Sequence, residues 1–170
     1  MKIYSDDPLV KYKDTSVSPE RTKAQIDGIL AEYQVKDIHW HWDMEGNDIY
    51  VQFKLDEVID GLPVSVVVKV ECPIIWDRER PRGRPPTPEQ INWRVSMRAM
   101  HWFIKTHLEC AYAMQSSRTV AFLPYVQGRR GLLKDLIIPR LSEYAALEQK
   151  ESPEHPKQVK IDVIEEKIHE

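Results

Sequence analysis

Three consecutive stretches alternate apolar and polar residues, and segments with helical spacing lie on either side of them. The first helical segment opens at Ser18-Pro19-Glu20, with a capping hydroxyl, proline at the first helical position and an acid in the first turn. Ile26, Ile29, Leu30 and Tyr33 then form one apolar face, and the segment is predicted to end near Val35. From Asp37 to Asp43, Ile38, Trp40 and Trp42 face one way and His39 and His41 the other. After the turn residues Glu45 to Asp48, Ile49, Val51, Phe53 and Leu55 alternate against Tyr50, Gln52 and Lys54. Past Asp60-Gly61, Val64, Val66, Val68 and Val70 alternate against Ser65, Val67, Lys69 and Glu71. Each strand has one apolar face, which predicts an antiparallel meander covered on one side and open to water on the other.

Thr87-Pro88-Glu89-Gln90 has the form of a helix start, and neither glycine nor proline follows before Ser117. About 28 residues of helix span roughly 42 Å. At 100° per residue, Gln90, Arg94, Arg98, His101, Lys105, Glu109 and Tyr112 share a narrow face. That stripe is predicted to face solvent, with Val95, Ala99, Phe103, Cys110, Ala113 and Met114 buried opposite it. Residues 1–17 read as irregular, and 119–126 as a short apolar segment. Gly128 to Gly131 reads as a turn, and Leu132 to Gln149 as helical with an interruption at Pro139. The resulting class is α+β: helix, three-stranded antiparallel meander, long helix, then a mostly helical C-terminal extension. Residues 15–150 are assigned to one domain and 151–170 to an acidic tail, whose Val159, Ile161 and Val163 alternate.

The 170 residues carry a net charge of −3, so the molecule as a whole is not basic. The distribution is uneven. Between Trp76 and Lys105 seven basic residues face three acids, whereas from Ser142 onward eight acids face four lysines. Two cysteines make neither a disulfide framework nor a zinc pattern, and there is no apolar run near 18 residues and no signal peptide. A cytoplasmic location without membrane association is expected.

The basic stripe Arg94, Arg98, His101 and Lys105, with the Arg/Pro-rich connection carrying Arg78, Arg80, Arg82 and Arg84, has the composition of a phosphate-tracking groove. Tyr50, with His39 and His41, lies on the open sheet face, where rings can stack on bases. His39, His41 and Asp43 also have ligand chemistry, but no further motif joins them and no metal is assigned. No Gly-rich phosphate loop, nucleophile elbow or Cys-His pairing points to catalysis, and no cofactor is implied.

Thr15-Ser16-Val17-Ser18-Pro19-Glu20-Arg21-Thr22, read with Trp93-Arg94, Ile104-Lys105, Leu108-Glu109 and Phe122-Leu123-Pro124, resembles a family of small phage- and prophage-associated proteins. Its members open with a T-x-V-x-P-E-[KR]-[ST] segment and carry a W-R … I-K-x-x-L-E helix. The resemblance spans residues 15–145, and departs at Tyr33-Gln34-Val35, where the family pattern has a glycine. It implies no biochemical activity, but it draws attention to Arg94, Lys105 and Glu109. The coarse element order is also that of double-stranded-RNA-binding domains and of phage single-strand annealing proteins, an analogy of fold alone. The expectation is a non-catalytic accessory protein that binds DNA or RNA in replication, recombination or annealing, as a homo-oligomer or with a phage or host protein. The alternative is a regulatory subunit that docks through its Arg/Pro-rich arm and acidic tail.

Overall fold

The computed structural model describes residues 2–77, 90–129 and 131–141. Residues 1–136 form one compact unit, built in the order β1 (Ile3–Tyr4), α1 (Pro19–Glu32), β2 (Lys36–Asp43), β3 (Asp48–Ile59), β4 (Leu62–Glu71), β5 (Ile75–Trp76), α2 (Trp93–Ala113), α3 (Arg118–Ala121), a 3₁₀ turn at Leu123–Tyr125, and the hairpin β6 (Gln127–Gly128) and β7 (Gly131–Leu132). The described part of the second unit, residues 137–141, is helical, and the helical assignment runs through Pro139 without the expected break. The acidic tail 151–170 lies outside the described residues.

Helix α1 begins as its sequence dictates, with the Ser18 hydroxyl accepting from the Arg21 N–H and Pro19 leading the first turn. Its C-terminus is a Schellman motif: the Gln34 N–H donates to Ala31 O and the Val35 N–H to Leu30 O. Gln34 takes the left-handed conformation (φ 57°) that glycine usually fills. Strands β2, β3 and β4 form the expected antiparallel meander in that spatial order, with His41 opposite Tyr50 and Tyr50 opposite Glu71. Ile49, Val51, Phe53, Leu55, Val68 and Val70 point to one side and are buried with Ile26 and Leu30 of α1, Met97, Met100, Ile104 and Leu108 of α2, and Phe122. Both long helices therefore cover one face of the sheet, and the other face remains open.

Two expectations for α2 are corrected. The helix starts at Trp93, not near Thr87. Residues 90–92 are taken by pairing with β5: the Asp77 N–H donates to Gln90 O, the Asn92 N–H to Ile75 O, and Ile91 bridges Trp76. Asn92 then caps the helix, accepting from the Val95 N–H at 3.0 Å. The proposed start at Thr87 to Glu89 lies outside the described residues. The buried arc is also different. Met97, Met100, Ile104, Leu108 and Ala111 face the core, about 100° round the helix from the stripe rather than opposite it. Cys110 and Ala113 are exposed, as is Met114 at 76%. Apolar residues cover more than half of the helix circumference, so periodicity alone leaves the packed arc undetermined. The arc is set by α1, which lies along the His101 side.

Candidate nucleic-acid interface

The arginine and lysine side chains of the stripe occupy the border between α1 and α2. Arg94 is exposed. Arg98 is half-buried and donates to Gln25 Oε1 of α1, with its guanidinium 5.8 Å from the Trp102 ring centroid. Lys105 pairs with Glu109 and lies 5.8 Å from the same ring. His101 does not face solvent as expected; it is 6% exposed. Burial, reinforced by the Arg98 and Lys105 charges, pushes its imidazole down to about 4, so it is neutral at physiological pH. The cationic stripe thus reduces to Arg94, Arg98 and a Lys105 that is already paired.

Tyr50 is not part of this group. It projects from the open face of the sheet, on the side away from both helices. Its ring is engaged on that face: His41 stacks on it at 4.8 Å and 18°, and the Lys69 ammonium lies 4.1 Å from its centroid. His41 Nε2 is also 3.4 Å from Asp48. Among the described residues no group of three or more His, Cys, Asp and Glu is placed to hold a metal ion. Arg78, Arg80, Arg82 and Arg84 lie outside the described residues.

The N-terminal segment contributes side chains that periodicity does not reveal. After β1 pairs in parallel with β5, the chain turns through residues 5–14 and lies beside α2. Tyr12 stacks on Trp102 with centroids 5.4 Å apart and planes within 7°. To do so it adopts φ 67°, a left-handed conformation that is costly for a residue with a bulky side chain. Tyr12 lines two adjoining hollows of about 510 Å³ each. One is mixed, with Lys11, Lys13, Asp14 and Arg98 set among Pro8, Val10 and Val17; the other is largely apolar, with Leu9, Ile75, Trp102, Phe103 and His107. The Trp102 indole Nε1 and the neighbouring His101 Nδ1 are buried without a hydrogen-bond partner among the described residues. Each such orphaned group costs about 1–3 kcal/mol.

This arrangement can hold an extended polyanion that carries flat rings. Lys11, Lys13, Arg94 and Arg98 supply charge, partly offset by Asp14, and Tyr12 on Trp102 supplies a rigid aromatic surface. The sequence signal for it was Leu9-Val10-Lys11-Tyr12-Lys13, where basic residues flank an aromatic. No helix among the described residues is long and apolar enough to cross a membrane. Comparison with protein-family models, with curated proteins and with solved structures finds no match.

Proposed function

We propose that this protein is a non-catalytic, cytoplasmic nucleic-acid-binding accessory factor of the phage-associated kind, assisting replication, recombination or annealing. The substrate is a single strand. The observation that supports this reading is the Tyr12–Trp102 stack, held by an unfavourable backbone conformation beside a hollow lined by Lys11, Lys13 and Arg98. Stacking on an aromatic platform is tolerant of sequence and contributes about 1–3 kcal/mol per base, and it requires unpaired bases. Duplex offers only its phosphates to such a site. The stripe on α2 contributes Arg94 and Arg98 to the same rim.

Fluorescence anisotropy with labelled single-stranded and duplex oligonucleotides, at low and physiological salt, tests this directly. Four phosphate contacts give a log–log salt slope of about −3 on a single strand. Arg94→Ala combined with Arg98→Ala lowers both the affinity and the slope while the protein stays folded. Absence of binding at low salt overturns the proposal. The second reading is a regulatory subunit that docks on another protein; it draws support from Val58 and Leu62, which are 72% and 67% exposed near the β3–β4 turn. An interface built on those side chains changes little with salt, which separates the two readings.

A further inference from the structure

The C-terminal ends of α1 and α2 converge on a hollow of about 430 Å³ at the opposite end of α2 from the Asn92 cap. Glu32, Tyr33, Gln34, Tyr112, Gln115 and Arg118 line it. Each helix ends in the same motif. The Gln115 N–H donates to Tyr112 O and the Ser116 N–H to Ala111 O, repeating the pattern at Gln34 and Val35. In both, the left-handed position is filled by glutamine, with φ 57° at Gln34 and 51° at Gln115. Glycine is the low-cost residue there, so two glutamines in strained conformations, both on the wall of one hollow, point to a use for their side chains.

The electrostatics of the hollow favour a cation. Helix C-termini carry partial negative charge, and neither helix has a basic residue in its last turn. The protein's own cations nearby are committed: Arg118 pairs with Glu57 and donates to Tyr33 O, and Lys105 pairs with Glu109. Glu32 has no ion-pair partner among the described residues. The rings of Tyr33 and Tyr112 meet at 80° with centroids 6.4 Å apart, forming an aromatic corner, and Tyr112 is 78% exposed. Burial, with Glu109 and Glu32 nearby, raises the Tyr33 phenol, consistent with a site that is short of positive charge.

We propose that this hollow is a binding site for a guanidinium group, packed against the Tyr112–Tyr33 corner and hydrogen-bonded by Glu32 and the side-chain amide oxygens of Gln34 and Gln115. A guanidinium fits better than an ammonium because it is flat enough to lie on a tyrosine ring and presents several donors in one plane to separate acceptors. The site is independent of the nucleic-acid groove, and its ligand is either an arginine side chain within a peptide or a free arginine derivative.

Nuclear magnetic resonance titration of the full chain with N-acetylarginine amide tests this, followed through the ring signals of Tyr33 and Tyr112. The expected result is a saturable shift of those signals and none with the neutral citrulline analogue. Tyr112→Ala, at an exposed position that the fold does not need, weakens binding about fivefold or more. Tighter binding of an arginine-centred tripeptide than of the single amide assigns the site to a peptide; equal binding assigns it to a small molecule. The proposal is overturned by the absence of a saturable shift, by equal binding of the citrulline analogue, or by unchanged affinity in Tyr112→Ala. None of these outcomes depends on whether the protein binds nucleic acid.

Discussion

Near the C-terminal end of α2, the half-buried Glu57 carboxylate accepts from the Ser117 hydroxyl at 2.7 Å, the backbone N–H groups of Arg118 and Thr119 at 3.1 and 2.8 Å, and Arg118 Nε at 2.9 Å. Midway along the same helix, His101 Nδ1 and Trp102 Nε1 are buried without a hydrogen-bond partner among the described residues. The first region fastens β3, α1 and α3 together and leaves no polar atom of the carboxylate idle. The second carries unfulfilled hydrogen-bonding capacity beside open hollows and a strained Tyr12. The contrast is between a carboxylate whose oxygens are fully engaged and two ring nitrogens left over beside a hollow. The first region is not sealed either: Thr119 Oγ1 is buried there without a partner among the described residues, and Glu57 and Arg118 lie on the wall of the hollow at the helix ends.

The sharpest way to break the comparison is at Glu57. Glu57→Ala leaves the Arg118 guanidinium, whose side chain is 25% exposed, without its carboxylate and removes the acceptor of the Arg118 and Thr119 N–H groups in the first turn of α3. A loss of about 2 kcal/mol in denaturant unfolding is expected, below the range for a fully buried pair because both side chains keep some contact with water. Nucleic-acid affinity, measured where the variant is still folded, is expected to stay unchanged. If it falls with stability, scaffold and site are not separable.

Acid sharpens the same contrast in two windows. Burial alone would raise the Glu57 carboxyl, but hydrogen bonds from Arg118, Thr119 and Ser117 outweigh it and hold the group at about 2, against an ordinary 4.5. Its contribution is complete above pH 4.5 and is lost as pH falls from 4.5 towards 2. His101 titrates near 4 rather than 6.5, so the unfolded chain takes up its proton first. Stability therefore declines as pH falls from 6.5 to 4, by about 3 kcal/mol at most. Replacing His101 by the uncharged His101→Gln removes the upper window and leaves the lower one. Unfolding midpoints measured from pH 7 to pH 3 would show both steps, and persistence of the upper step in the variant would rule out His101 as its source.

How much of this was legible in the sequence follows the same division. Helix α1, the meander and the turn at Gly128 to Gly131 are written locally, because Ser18-Pro19, strict alternation and paired glycines act within a few residues. The start of α2 was misread because Thr87-Pro88 is the stronger local signal, while the real boundary depends on pairing of residues 90–92 with β5 across the chain. From Arg94 to Tyr112 the stripe does lie on one side of the helix, but Gln90 precedes the helix and pairs with β5, and the expected exposure fails because α1 covers the His101 flank. Tyr12 went unnoticed because no periodicity marks a residue whose role arises from a turn.

Tyr12 offers a finer cut. In Tyr12→Gly the stack on Trp102 is lost, a cost of about 0.5–1.5 kcal/mol. Glycine also relieves the left-handed backbone, a gain of similar size. The buried area of the Tyr12 ring is lost as well, so a net loss of about 1–2 kcal/mol is expected, while single-strand affinity falls fivefold or more. An affinity loss that appears equally with duplex would mean that Tyr12 shapes the cationic rim rather than stacking on bases.

The smallest expected effect is also the most diagnostic, because it runs against the usual direction of mutation. At Gln34 and Gln115 the left-handed conformation costs a side-chain-bearing residue about 1–2 kcal/mol. Glycine avoids that cost but has more unfolded freedom to lose, worth about 0.5–1 kcal/mol. Gln34→Gly and Gln115→Gly are each expected to stabilise the protein by about 0.5 kcal/mol, read as a shift in denaturant midpoint at unchanged slope. A scaffold position would gain stability and lose nothing. If the glutamines serve the hollow at the helix ends, the same variants gain stability and bind N-acetylarginine amide more weakly. That opposite movement of two observables would mark the glutamines as residues kept at a cost to the fold, unlike Glu57, which lies on the wall of the same hollow but is held by its own hydrogen bonds.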